Sequence, residues 1–306
     1  MERLDGSSGV PDRMRGGIVA LGNFDGFHKG HQAVVGRAIK RARADGRPAL
    51  VATFDPHPVR FFKPDTPPFR LTSLNQRERL FAEAGADGMI VFPFNAALAG
   101  LTAEEFVAQR LGGIAGVVTG EDFTFGKGRS GNVGILAELG AKYGFVAEAV
   151  SPVADGGEVI SSSRIRDALQ AGDCATAKEL LTRPFAVEGV VQHGDKNGRQ
   201  LGFPTANIDM GSYLRPRYGI YAVRGRLPDG RKLDGAASIG IRPHFHPPKE
   251  LLEPHFFDFE GDLYGQTIEI EFHAFLRDEE KFESLEALTL QIEQDCERAR
   301  EVLAGV

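Results

Sequence analysis

The feature that most constrains this chain is a change of pattern at Arg183-Pro184. Before it, short apolar runs alternate with stretches of helical character. The runs 18–21, 49–54, 89–92, 117–119 and 145–150 are short and rich in Val, Ile, Ala and Phe, as buried strands are. Residues 32–44, 73–84, 102–110 and 133–143 between them read as helices. The alternation predicts an α/β unit with a doubly wound parallel sheet, whose ligands sit beyond the carboxyl ends of its strands. After Pro184 the runs 185–192, 219–226, 232–239, 251–259 and 267–275 are separated by turns such as Pro228-Asp229-Gly230. Short strands with turn signals predict a small β-barrel. Leu285, Leu288, Ile292, Cys296 and Ala299 then recur at helical spacing within 284–303, so a helix closes the barrel. The expected domains are 16–183 and 184–306.

Composition sets the outer limits. A chain of 306 residues suits two domains, and 42% apolar residues can fill both cores. The formal net charge of −6 argues against a general nucleic-acid or anionic-membrane surface. No apolar run approaches the roughly 20 residues of a membrane span. Residues 1–15 are polar and lack the apolar core of a secretory signal, so they are expected to be disordered. Cys174 and Cys296 are far apart and fit reduced thiols in a cytoplasmic protein. The oligomeric state is left open, weak self-association included.

The first strand runs into Gly22-Asn23-Phe24-Asp25-Gly26-Phe27-His28-Lys29-Gly30-His31 and then a helix. Glycines admit positive φ or a close-lying ligand. Amides at a helix N-terminus favour anions. His28 and His31, three apart, share a helical face. The pair could hold a metal with Asp25, could be structural, or could face a polyphosphate. The glycines favour the last.

Three further segments of the first half carry side chains suited to ligands. Thr53-Phe54-Asp55-Pro56-His57-Pro58, with Phe61 and Phe62, could grip a planar ring or be an ordinary Pro-rich loop. Gly126, Gly128 and Gly131, with Glu148 downstream, fit a dinucleotide fingerprint, but they do not directly follow a strand, which weakens that reading. Ser161-Ser162-Ser163-Arg164-Ile165-Arg166 opens a helix. The serines suit caps, whereas two arginines in a first turn oppose the helix dipole unless an anion binds there.

In the second half, the polar and Gly-rich string 194–207 reads as a loop rather than a strand. It ends in Pro204-Thr205-Ala206-Asn207, whose hydroxyl and amide oxygens could serve Mg²⁺, an ion that keeps several waters. Leu252-Glu253-Pro254-His255-Phe256 reads as a strand around one carboxylate, with Pro254 removing an N–H.

In this order the motifs resemble those of the bacterial bifunctional riboflavin kinase/FMN adenylyltransferases, the FAD synthetases. His28-Lys29-Gly30-His31 resembles the nucleotidylyltransferase signature. Phe27 and Lys29 stand where Val and Leu are more usual. Gly120-Glu121-Asp122-Phe123-Thr124-Phe125-Gly126 and Pro204-Thr205-Ala206-Asn207 also match the family, and Ser163 replaces a Thr. The resemblance covers about residues 16–303 and implies two ATP-dependent steps: riboflavin to FMN, then FMN to FAD with release of pyrophosphate. It implies that His28 and His31, assisted by Asn23, serve adenylyl transfer, and that Glu253 is the kinase base. Gly22, Phe24, Gly30, Ser162, Ser163 and Arg166 would bind the ATP of the first unit, and Gly194, Lys196 and Gly202 that of the second. Phe54, Pro56, Pro58, Phe62, Phe123 and Phe125 would hold flavin, and Thr205 and Asn207 the Mg²⁺. The implied partners are the small molecules riboflavin, FMN and ATP, not nucleic acid or membrane. A nucleotidyltransferase for another acceptor would leave the second half unexplained. A flavin-sensing protein with inactive sites would draw only on Pro254 and on His244, where the family more often has Thr.

Overall fold

The computed structural model describes residues 1–193, 202–242 and 249–306. The chain divides into two compact units, Met1–Pro67 with Leu74–Ser161, and Pro68–Ser73 with Ser162–Val306.

In the first unit the chain runs through β1 (Glu2–Asp5), β2 (Ile18–Leu21), α1 (Lys29–Ala44), β3 (Ala49–Asp55), α2 (Pro58–Phe62), α3 (Leu74–Glu83) and β4 (Gly88–Pro93). It continues through α4 (Ala96–Gly100), α5 (Ala103–Arg110), β5 (Gly116–Gly120), α6 (Val133–Tyr143), β6 (Val146–Val150), β7 (Ala154–Asp155) and β8 (Glu158–Val159). Six strands form one parallel sheet in the order β1-β4-β3-β2-β5-β6. Its strands are near-continuous apolar runs because helices cover both faces. Along β2, Ile18 and Ala20 join the core beneath α1, while Val19 and Leu21 join the opposite core with Phe106 and Leu136. The order reverses at β2, which lies between β3 and β5, so the crevice beyond the carboxyl ends of β2 and β5 is where such a sheet takes ligand.

Residues 2–5 are not disordered, contrary to the sequence expectation. They form β1, paired in parallel with β4 from Glu2–Gly88 to Asp5–Val91. Only Leu4 of this strand is buried. The ladder is made by backbone groups, which polar residues supply as well as apolar ones do.

The second unit runs through α7 (Ser162–Ala171), α8 (Cys174–Leu181), β9 (Phe185–Gln192), β10 (Asn207–Asp209), β11 (Gly219–Arg226), β12 (Lys232–Arg242), β13 (Lys249–Phe256), β14 (Thr267–Arg277) and α9 (Leu285–Ala304). Six antiparallel strands close into a barrel in the order β10-β13-β12-β11-β14-β9. The segment Pro68–Ser73 belongs here. Arg70 N donates to Ser212 O at 3.0 Å, and Leu214 N donates to Arg70 O at 2.8 Å. The loop that holds the Pro-Thr-Ala-Asn motif ends in a short strand, β10, which the polar composition concealed. Helix α9 covers the barrel with Cys296, Ala299 and Leu303. It is fixed by the buried carboxylate of Asp295, which accepts from Arg277 Nε at 2.9 Å and Nη2 at 2.7 Å. Cys174 and Cys296 are free and buried, and burial raises their thiols to about 12 and about 11.

Candidate active sites

In the first unit the stretch 22–31 connects β2 to α1, as its sequence predicts. His28 is the N-cap of α1. Its Nδ1 accepts from His31 N at 3.4 Å, and the two rings stack with centroids 3.6 Å apart. The three glycines divide their work. Gly26 has a φ of 87°, which glycine adopts without strain. Gly22 and Gly30 are needed for space, since a Cβ would lie 3.0 Å from the Phe24 ring and 3.2 Å from the His28 ring respectively. Phe24 and Phe27 have φ of 51° and 45°, unusual for bulky residues. Both rings pack edge to face on Phe81, with centroids 5.9 Å and 5.1 Å away. Phe24 is thus a core residue beneath the loop, and its ring also meets His31 at 5.4 Å. Phe27 completes the same core.

A cleft of about 660 Å³ lies beside this loop. Asn23, Phe54, Pro58, Phe62, Phe123 and Phe125 all line it. They come from the ends of β2, β3 and β5 and from α2, so the doubly wound topology gathers them. Pro58 stands in the first turn of α2, where a missing N–H costs nothing, and His57 caps that helix through Val59 N at 3.2 Å. Pro56 precedes these residues and does not line the cleft.

Sequence reasoning missed Phe94 and Phe106, which line the same cleft. Phe94 meets Phe54, Phe61 and Phe62 at 5.9, 5.5 and 5.7 Å. Phe106 meets Phe125 at 5.5 Å. Phe106 comes from a run read as an ordinary helix and Phe94 from just beyond the run 89–92 read as a strand, and only the tertiary fold brings them here. Lys63 and Arg129 add positive charge to the lining. Residues 120–131 form a loop closed by reciprocal bonds between Phe125 and Gly131. Gly131 leaves room for the Phe125 ring, 2.7 Å from where a Cβ would be. Glu148, the acid of the dinucleotide pattern, pairs instead with Arg37 at 2.7 Å and with Arg41. Burial pushes the Glu148 carboxyl up, but the two arginines outweigh it and hold it below its usual range.

Another buried group carries no motif. Arg77 on α3 is 3% exposed, and its Nη1 donates to Asn23 O at 3.1 Å and to Thr53 Oγ1 at 2.9 Å. It shares one side of α3 with Leu74 and Phe81, but the helix is too polar in sequence for this to mark it.

Ser162 and Ser163 open α7 in the second unit. Arg166 Nε donates to Phe69 O at 2.8 Å, and its guanidinium lies 5.2 Å from the Phe69 ring.

In the barrel, Ile208 and Leu252 pair in register, and both are fully buried. Their neighbours Asn207 and Glu253 therefore share the other face of adjacent strands. A cleft of about 340 Å³ in this unit is lined by Thr205, Pro204, Ala206, Pro254, Asp262 and Tyr264 among others. Thr205 is held between two bonds to β13, from His255 Nδ1 to Pro204 O and from Ala206 N to Pro254 O, each 2.9 Å long. Pro254 keeps its place in the strand and anchors the motif through its carbonyl. Gly202, with a φ of 86°, precedes the motif. Gly194, Lys196 and His244 lie outside the described residues.

Comparison with known proteins matches both halves. A family model for FAD synthetase matches residues 10–164, and one for riboflavin kinase matches 181–303. The bifunctional riboflavin kinase/FMN adenylyltransferase of Pseudomonas fluorescens is 40% identical over 308 residues, covering 99% of this chain and 98% of that protein. The protein of the same name from Escherichia coli (strain K12) is 38% identical over 289 residues, covering 94% and 92%. A crystal structure from Streptococcus pneumoniae, described as a macrolide-efflux protein, superposes with a TM-score of 0.86 at 32% identity, covering 98% of this chain and 99% of that one.

Proposed function

Because the chain belongs to the bifunctional riboflavin kinase/FMN adenylyltransferase family, we propose that its parallel-sheet unit adenylylates FMN and its barrel unit phosphorylates riboflavin. The two reactions are those of the family: ATP and riboflavin give FMN, and a second ATP and FMN give FAD and pyrophosphate. The observation that carries the division is the convergence of Asn23, Phe54, Pro58, Phe62, Phe123 and Phe125 on one cleft. A flavin ring is planar and largely apolar, and a wall of aromatic rings takes it by stacking and area burial. Lys63 and Arg129 suit the FMN phosphate.

His28 and His31 sit at the N-terminus of α1, where dipole and imidazole N–H groups stabilise charge building on the α-phosphate as pyrophosphate leaves. Gly22 and Gly30 keep backbone close to the ATP, and Phe24 supports the loop from below. Ser162, Ser163 and Arg166, at the start of α7, are proposed to serve ATP phosphates. Neither transfer needs a covalent enzyme intermediate.

In the barrel, Glu253 takes the proton of the riboflavin 5′-hydroxyl as its oxygen attacks the γ-phosphorus and ADP leaves. Gly194, Lys196 and Gly202 belong to the loop proposed for that ATP. Thr205 lines the cleft with Asp262, and Asn207 lies two residues further on in β10. The two hard oxygens of Thr205 and Asn207 suit Mg²⁺ with most of its coordination from water and phosphate. Among the described residues, no three His, Cys, Asp or Glu side chains form a metal cluster. When bound, the ion would neutralise phosphate charge. We place the functional boundary at Arg183-Pro184, between α8 and β9, and the enzyme in the cytoplasm, where its thiols stay reduced. Its substrates are small molecules, with no nucleic acid or membrane.

No helix among the described residues is long and apolar enough to cross a membrane. Incubation with riboflavin and Mg²⁺–ATP, followed by separation of flavins, tests the reading. FMN should appear first and FAD second. A preparation that binds flavin but makes neither product would overturn it.

A further inference from the structure

We propose that Arg77 and Thr53 form a buried positioning pair that aims the Asn23 side chain into the adenylyl-transfer cleft. The inference rests on assigning that cleft to FMN adenylylation. Arg77 and Thr53 are 3% and 0% exposed, so neither can touch bulk solvent or reach into the cleft as a direct contact. They act on the backbone of Asn23 instead. Thr53 Oγ1 donates to Asn23 O at 2.8 Å, while Arg77 Nη1 donates to the same carbonyl at 3.1 Å and to Thr53 Oγ1 at 2.9 Å. The three groups close a triangle around one peptide oxygen. Asp55 Oδ1 lies 3.9 Å from Arg77 Nη2, so the buried cation has a carboxylate close by.

The loop needs such a hold. Immediately after Asn23, Phe24 takes a φ of 51°, a conformation a bulky side chain does not adopt unaided. The fixed carbonyl sets the direction in which the Asn23 side chain leaves the chain. Asn23 lines the cleft, and its Oδ1 is buried with no hydrogen-bond partner among the described residues. With no donor of its own, the Oδ1 does not fix the side chain, so the bonds to the Asn23 carbonyl set where it lines the cleft. Arg77 and Thr53 are thus positioning residues that work through Asn23.

The test is steady-state kinetics on the full chain, following FAD formation from FMN, with FMN formation from riboflavin as internal control. Asn23→Ala and Thr53→Val should each lower kcat for FAD formation about tenfold or more, with the KM for ATP little changed, because misplacement of a substrate-orienting group acts on the transition state. Thr53→Ser restores the hydroxyl and should return kcat to within about twofold. Adding Thr53→Val or Arg77→Met to Asn23→Ala should cost nothing further, since all act through one group. Losses that multiply, an equal loss of FMN formation, or no loss in Thr53→Val would overturn the inference. If Arg77→Met does not fold, the Thr53 pair decides alone. If Asn23→Ala keeps full FAD formation while His28→Ala with His31→Ala loses it, the inference fails and the cleft assignment stands. If all three changes leave FAD formation intact, the cleft assignment itself fails.

Discussion

The two units solve one problem, holding flavin beside ATP, in opposite ways. The sheet unit buries both faces of its strands, so only strand ends and the loops beyond them remain for chemistry. The cleft we assign to it is walled by aromatic rings from several loops. The barrel fills its inside with Ile208, Ile239 and Leu252, all fully buried. We assign its chemistry to Asn207 and Glu253, on the other face of the same strands, and to the polar loop that leads into β10. Where a fold spends its apolar surface decides where its polar groups can act.

The largest expected effect is on the barrel side of this comparison. Glu253→Gln preserves shape but cannot take a proton. Riboflavin phosphorylation should fall by roughly 10²–10⁴-fold, the usual worth of a general base, while FAD formation from supplied FMN persists. Unchanged phosphorylation would move the base elsewhere. On the sheet side, His28→Ala with His31→Ala should lower FAD formation by about 10²–10³-fold, the worth of a preorganised charge-stabilising donor, and leave FMN formation alone. Retained folding should first be shown by circular dichroism. The contrast in wall chemistry is sharpened by Phe123→Ala. It removes the ring stacked on Phe125 at 5.9 Å and should raise the KM for FMN about two- to tenfold, with riboflavin phosphorylation unaffected.

The smallest effect concerns packing rather than chemistry. Glu148 ties β6 to α1 through Arg37 and Arg41, and its folded pKa is depressed. Its contribution is present above the ordinary carboxylate value of 4.5 and fades as pH falls through the lower folded value. Glu148→Gln should cost up to about 1 kcal/mol at pH 7, since the pair is partly exposed. The gap in melting temperature between variant and parent should close in acid. A gap that persists at low pH would mean that packing, not charge, is lost.

Much of this was legible because pattern and position agree. Residues 185–192 and 219–226 read as strands and are β9 and β11 to the residue. The loop 22–31 announced a strand-to-helix corner through its glycines. What stayed hidden depends on partners distant in sequence. Strand β1 has one buried side chain and exists because β4 offers an edge. Strand β10 sits in polar sequence because β9 and β13 flank it. Arg77 looks like a surface residue of a polar helix until the Asn23 carbonyl arrives beneath it. The segment Pro68–Ser73, read as part of the first domain, pairs with the barrel's unit through backbone bonds that no side chain foretells.

The central claim is that each unit performs one of the two steps, so that FMN made by one chain can serve another. Mixing the Glu253→Gln chain with the His28→Ala, His31→Ala chain tests it most directly. Given riboflavin and Mg²⁺–ATP, neither variant alone should make appreciable FAD, and the mixture should make it. A mixture that accumulates FMN and no FAD, although the Glu253→Gln chain adenylylates added FMN, would contradict the account and tie both steps to a single chain.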